Sequence, residues 1–323
     1  MNRKTLFFAT LLIASLTSCS SGGKPNGGNA PGGEDNIIHG RGTPSNDIGS
    51  LYSLYVDDND GKIYEKNKEY VKGTSNLRRS NSDDPQWIYT NCVAGDNFDK
   101  NSATADALRA TLLSTNVTLR CDLGIETTFG GSISNMDVVT YLQYNFGNVL
   151  QKQVVDVDNI DDATLVGYSL YDLNNDSYRL FLNSGGTIVD HTEYITSDDA
   201  GERLIASNFI NRCLNNQLEK TLNFPLVDII LSEIDNFTSV GKRYSLDKTI
   251  DVGSNPYYDQ IYGKDNYYIE FKDISFTLSE DSLSITNLHF VFEYGNNDKS
   301  QVMKEDFLAD ISNLRTTSFD IPR

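Results

Sequence analysis

The chain has 323 residues and a formal net charge of −18. That balance speaks against nucleic acid or an anionic lipid surface as partner, because both are polyanions. Eighteen Tyr and fifteen Phe against one Trp and three Met point to a β-rich interior, and a chain of this length can bury one large core or two smaller ones.

The N-terminus is basic at Met1-Asn2-Arg3-Lys4 and apolar from Thr5 to Thr17, the layout of a secretory signal. The apolar run is shorter than the roughly 20 residues that a membrane-spanning helix needs, and no second run of that length follows. It closes on Leu16-Thr17-Ser18-Cys19, which resembles the lipobox of bacterial lipoproteins. The resemblance implies cleavage after residues 1–18 and acylation of Cys19 with at least two chains. One acyl chain holds a membrane marginally, while two or more hold it stably. The expected location is the bacterial cell envelope, extracytoplasmic and lipid-anchored. Cleavage removes Arg3 and Lys4 and no acid, so the mature chain is more acidic still. Residues 19–39 read as the lipidated tether, its Gly/Pro/Asn-rich stretch 20–35 having a reach of roughly 20–25 Å.

Residues 40–77 form a small unit. Leu51-Tyr52-Ser53-Leu54-Tyr55-Val56-Asp57 and Ile63-Tyr64-Glu65-Lys66 flank Asp60-Gly61, a β-hairpin signature. With Gly40-Arg41-Gly42-Thr43-Pro44-Ser45 and Tyr70-Val71-Lys72-Gly73, the layout resembles spacer modules of phage tail fibres and bacterial surface proteins. The resemblance implies structure and not chemistry. A lone hairpin is marginally stable, so the unit must pack on something. Residues 78–100 read as an irregular polar linker containing Pro85 and Trp87.

From 101 to 323 the pattern is regular. Ser102 caps a predicted helix over 103–113. Val117, Leu119, Cys121, Leu123 and Ile125 then alternate with Thr118, Arg120, Asp122, Gly124 and Glu126, a half-buried strand. Strands are predicted at 137–146, 149–157, 164–172, 177–183 and 187–195, with turns of Gly, Asn and Asp between them. Two helices follow. One opens at Ser197-Asp198-Asp199 and carries the apolar stripe Leu204, Ile205, Phe209, Cys213 and Leu218. The other opens at Pro225 and carries Leu226, Val227, Ile230, Leu231 and Ile234. Strands resume at 240–247, 267–278 and 283–294, the last two a hairpin across Ser279-Glu280-Asp281-Ser282, and Asp310 to Pro322 reads as short strands. Turns this short join antiparallel strands, so an α+β fold is expected rather than a doubly wound one.

This order of one helix, several antiparallel strands, two helices and more strands resembles the LolA/LppX-like lipoprotein-carrier fold. The tail from Ile311 to Pro322 also resembles the ending of many lipoproteins of that group. The resemblance implies a strongly curved antiparallel β-sheet, a half-barrel, with two or three helices on its concave side, preceded by the small hairpin unit. It further implies a hydrophobic ligand, a lipid or acyl chain, held between sheet and helices. Leu204, Ile205, Phe209, Leu226, Ile230 and Ile234 would then line the ligand. It also puts Cys121 and Cys213 in one interior layer. There they are either bonded, closing a loop of about 90 residues for roughly 4 kcal/mol, or two separate buried thiols.

An enzyme is not expected. The three histidines, His39, His191 and His289, sit apart among polar neighbours and read as surface or rim residues. The sequence holds no H-E-x-x-H, G-x-S-x-G or phosphate-binding loop. Asp172, Asn174 and Asp176 match the first ligand positions of a calcium loop, but Ser177 stands where glycine is needed and Asn183 where the bidentate Glu belongs. A hairpin turn accounts for them better, as a solvated turn does for Asp156, Asp158, Asp161 and Asp162. Neither a metal nor another cofactor is expected. Tyr257, Tyr258, Tyr262, Tyr267 and Tyr268 read either as rim residues of a sheet or as an aromatic platform. The platform would suit a surface adhesion protein binding protein or glycan, the alternative to a lipid binder.

Overall fold

The computed structural model describes residues 37–66, 87–145, 148–155, 164–172, 177–214, 226–253, 259 and 262–316. The signal, Cys19 and most of the tether lie outside these residues.

Two sheets share one hydrophobic core. The smaller is four-stranded in the order β1 (Ile37–Gly40), β2 (Leu54–Asp57), β3 (Lys62–Lys66), β4 (Trp87–Val93). β2 and β3 are the expected hairpin, turning at Gly61 with φ +74°. β1 and β4 are additions. β4 occupies part of the stretch expected to be an irregular linker, which Thr90 and Asn91 obscured by breaking its apolar run. β1 runs parallel to β2, and about a dozen residues make the crossover that parallel pairing needs. Lys66, 1% exposed, ties that crossover down. Its ammonium donates to the carbonyls of Asn46, Ile48 and Gly49 and lies 5.4 Å from the Trp87 ring centroid. A buried ammonium needs such a cage of acceptors.

The larger sheet is built from β5 (Asn116–Phe129), β6 (Ser132–Asn145), β7 (Asn148–Val155), β8 (Thr164–Asp172), β9 (Ser177–Ser184), β10 (Thr187–Asp190), β11 (Thr238–Val240), β12 (Arg243–Leu246), β13 (Ile250–Asp251), β14 (Tyr267–Leu278), β15 (Ile285–Asn296) and β16 (Gln301–Ser312). Its order is β10-β9-β8-β7-β6-β5-β16-β15-β14-β12-β11, with β13 on β14, and every pairing is antiparallel. Gly130-Gly131, both at positive φ, make the two-residue turn between β5 and β6. β16 is a long strand that the sequence did not announce, joining β15 to β5. Of the stretch expected to be short strands, Asp310–Ser312 belong to β16, 313–316 form a turn, and the rest lies outside the described residues.

The helices are α1 (Ala103–Leu112), α2 (Ala200–Leu214) and α3 (Leu226–Ser232). Ser102 caps α1 as expected, accepting from the Ala105 N–H at 3.1 Å. β10 and β11 are the two edges of the sheet, so the chain between them, which carries α2 and α3, runs from one edge to the other. The sheet is therefore large, antiparallel and open. It is not strongly curled, which reduces the expected half-barrel to an open sheet.

α1, α3, the central strands and Leu54, Val56, Ile63, Cys92 and Phe98 of the small sheet and the loop after it belong to the same buried cluster. The hairpin thus packs on the main body, which answers the instability of an isolated hairpin. Glu65 is the polar element of that junction. Its carboxylate accepts from the Thr115 N–H and hydroxyl at 3.1 and 3.0 Å and faces Arg315.

Candidate functional site

The inner face of the large sheet is fixed by register. Val117, Leu119 and Cys121 on β5 lie opposite Tyr144, Leu142 and Thr140 on β6 and, for the latter two of β5, opposite Ile311 and Ala309 on β16. The row continues through Leu288, Phe290, Phe292 and Tyr294 on β15 to Ile269 and Phe271 on β14. In the other direction, Tyr144 pairs with Val149, Val149 with Ser169 and Ser169 with Leu180. Leu180 packs with Ala206 of α2. Hence α2, over β7–β9, covers the same face as α1 and α3, over the centre.

The packing on this face is graded along the strands. On β5, Val117 and Leu119 are fully buried, Ile125 is 8% exposed, Thr127 is half-buried and Phe129 is 66% exposed. On β16, Ala309 is fully buried and Phe307 is 6% exposed, whereas Glu305 and Met303 are half-buried and Gln301 is exposed. On β5 and β16 the apolar surface emerges at the end away from the helices, whereas at the same level of β14 and β15 Ile269 and Tyr294 stay buried, at 0% and 5% exposure.

Glu305 stands at that transition. It sits between Met303 and Phe307 on its own strand, opposite Phe292 of β15 and Ile125 of β5. Among the described inner positions of β5, β6, β14, β15 and β16 it is the one carboxylate. Its Oε1 is sealed from solvent and has no hydrogen-bond partner among the described residues. The nearby Tyr294 hydroxyl donates to the Met303 sulfur at 2.7 Å. Burial pushes the Glu305 carboxyl up to about 7, against a smaller opposing effect of the Tyr294 hydroxyl. Sequence reading missed this residue because Lys304-Glu305-Asp306 looks like a solvated run. The period-2 signal of Met303, Glu305, Phe307, Ala309 and Ile311 shows once the segment is read as a strand.

The six residues expected to line a ligand fall into two groups. Leu226 and Ile230 of α3 are fully buried in the central core, with Ile234 packed against it. On α2, a separate helix over a separate cluster, Leu204 is half-buried and Ile205 is 37% exposed. Ile205 thus points outward, because the helix turns Ala206 rather than Ile205 onto the sheet. The Phe209 and Cys213 side chains lie outside the described residues. Cys121 is buried in the inner layer at 6% exposure.

The other sequence candidates lie apart from this face. His39 bridges Asp58 and Asp99, its two ring nitrogens each 3.0 Å from a carboxylate oxygen. His289 contacts the Asp273 carbonyl and the Asp306 carboxylate on the outer face. His191 lies 3.3 Å from the Ser184 hydroxyl and 3.4 Å from Glu193. The last contact lacks hydrogen-bond geometry, Ser184 and Glu193 are both exposed, and the Tyr194 ring lies 4.5 Å from the imidazole. Tyr267 and Tyr268 alternate across the sheet. Tyr267 packs toward the core and donates to Asp259 at 2.9 Å, while Tyr268 donates to Glu293 on the outer face at 2.9 Å. Tyr262 also packs against the core, so these three do not make one platform; Tyr257 and Tyr258 lie outside the described residues. β8 and β9 pair at Asp172 and Ser177, making the loop between them a hairpin connection. Asn174, Asp176 and the Asp156–Asp162 run lie outside the described residues. Among the described residues, no group of three or more His, Cys, Asp or Glu is arranged to hold a metal.

No family model matches the chain, and no curated protein matches its sequence. Several solved structures show a distant likeness, among them these two. One is a DUF1329 family protein from Desulfovibrio piger, 10% identical with a TM-score of 0.21, the match covering 64% of this chain and 89% of that one. The other is a domain from Vibrio parahaemolyticus described as an outer membrane lipoprotein-sorting protein, 8% identical with a TM-score of 0.21, covering 60% and 85%. At such scores neither likeness carries an argument about function.

Proposed function

We propose that the chain is a membrane-tethered extracytoplasmic lipoprotein whose sheet domain binds a hydrophobic ligand, a lipid or acyl chain, on the inner face beneath and beside its helices. The observation that supports this reading is the gradient along that face, from fully buried Val117 to Phe129 at 66% exposure. Apolar surface continuous with a core, yet left uncovered, is characteristic of a binding surface. The ligand-contacting residues shift accordingly. Leu226 and Ile230 support the closed end, and Leu123, Phe129 and Met303 offer the open apolar surface beside buried Ile125. The lipobox-like Leu16-Thr17-Ser18-Cys19 and the glycine-rich stretch after it support the tether, and the order of strands and helices is in keeping with the carrier resemblance.

A fluorescent fatty-acid analogue whose emission rises in apolar surroundings tests this reading. Saturable binding that unlabelled phospholipid displaces, and that Ile125→Lys abolishes while the melting transition stays cooperative, is the expected result. A signal that rises linearly without saturating would contradict it.

A further inference from the structure

We propose that Glu305 is a charge-specific subsite of the inner face, and that the amphiphile it selects carries a cationic amine head on a hydrocarbon chain. The inference rests on the hydrophobic-ligand reading and adds the head-group chemistry to it.

Three observations converge on Glu305. By register it occupies an inner position, between Met303 and Phe307 and opposite Phe292 and Ile125, all four apolar, with the Tyr294 hydroxyl as the one polar group among the described residues acting on it. Its Oε1 is sealed from water with no hydrogen-bond partner among the described residues. It also stands where the packed core gives way to half-buried Leu123, Thr127 and Met303 and then to exposed Phe129. A buried carboxylate oxygen without a partner is costly, even where the Tyr294 hydroxyl interacts with the same carboxyl, and polar residues that break a local pattern cluster at functional sites. An ammonium brought in by a ligand would supply the missing donor and the neutralising charge, in a low-dielectric setting that strengthens the pair. The hydrocarbon would lie on Leu123, Ile125, Met303 and Phe129. A carboxylate or phosphate head would meet ionised Glu305 as a like charge and bind more weakly than an amine on the same chain. The net charge of −18 favours the approach of cations in the same sense.

Protonation state then sets affinity. The amine pairs with the ionised carboxylate, so binding strengthens as pH rises through the range in which burial makes Glu305 ionise, about 7.

The test displaces an uncharged fluorescent probe of apolar surfaces from the full chain with dodecylamine, dodecanol or dodecanoate at pH 5.5 and pH 8.5, and dodecanoate is expected to bind more weakly than dodecylamine at the higher pH. Dodecylamine is expected to bind roughly tenfold or more tightly at the higher pH, which is the order expected of one new charge-assisted contact. Dodecanol should change little. Glu305→Gln should remove the pH dependence for dodecylamine while leaving dodecanol unaffected, which separates Glu305 from the overall acidity of the chain. Equal affinity of dodecylamine at both pH values, or a pH dependence that survives Glu305→Gln, overturns the subsite and leaves the hydrophobic-ligand reading standing. If none of the three amphiphiles displaces the probe and the probe itself does not saturate, both fail.

Discussion

Arg315, just beyond the last strand, places its Nε 3.5 Å from the Glu65 carboxylate of the small sheet, and Glu65 is 1% exposed. The Arg315 guanidinium also lies 4.3 Å from the Tyr52 ring centroid. Burial raises the Glu65 pKa, opposed by Arg315 and the two Thr115 hydrogen bonds. This cluster joins the small sheet to the segment that follows the last strand of the large one. Glu65→Ala would leave the buried Thr115 N–H without its acceptor and Arg315 without its counter-charge. The expected loss is about 3 kcal/mol of unfolding free energy, measured by denaturant titration. A loss below about 0.5 kcal/mol, the scale of an ordinary surface change, would show that the junction is not built as described.

His39 predicts a pH effect of its own. Burial lowers its pKa, but the hydrogen bonds and charges of Asp58 and Asp99 outweigh that, and the net shift is upward from 6.5. A raised folded-state pKa contributes stability that is fully present below the unfolded value of about 6.5 and is lost as pH rises through the folded value. All three side chains are over 40% exposed, so screening keeps the effect below about 1 kcal/mol. In a Glu305→Gln background, which removes the other ionisation expected in this range, thermal melts from pH 6 to pH 9 should show a small decline that His39→Gln abolishes. An identical pH profile in that variant would refute the pairing.

The legible parts of this fold were those where one face is apolar and the other polar. Val117 to Ile125 announce β5 by strict alternation, and Ser102 announces α1 by its cap. The hairpin at Ser279–Ser282 follows from two long apolar runs around a polar turn. β4 and β16 were not legible, for different reasons. β4 is short and mixes Thr90 and Asn91 with its aromatics. β16 carries Glu305 at an inner position, and a charge there removes the alternation that would reveal the strand. Sheet neighbours distant in sequence, such as Ala309 and Cys121, leave no local signal at all. The sequence therefore points to the helices, where apolar stripes are visible, although Leu226 and Ile230 serve packing.

Glu305 should make the protein less stable at high pH. Its folded pKa of about 7 stands above the ordinary 4.5. Folding therefore favours the protonated form, with no penalty below about 4.5 and the full penalty above about 7. Glu305→Gln keeps the shape and removes the ionisation. It is expected to match the native chain near pH 4.5 and to exceed its stability at pH 8 by up to about 3 kcal/mol. A variant less stable than the native chain at pH 8 would mean that the carboxylate is paired in the folded protein.

Cys19→Ser should release the protein from membranes, because no other apolar run of comparable length is available to hold it. Fractionation after a salt wash reads this directly. A variant that still sediments with membranes would place the anchor elsewhere.

The central claim is that a hydrophobic ligand occupies the inner face. Native mass spectrometry of the protein released gently from its host membranes tests it most directly. The account predicts a population heavier than the mature polypeptide and its Cys19 acyl groups by the mass of one lipid or other amphiphile, lost on collisional activation and much reduced in Ile125→Lys. A single species at the mass of the acylated polypeptide, unchanged after incubation with phospholipid, fatty acid and alkylamine, would contradict it.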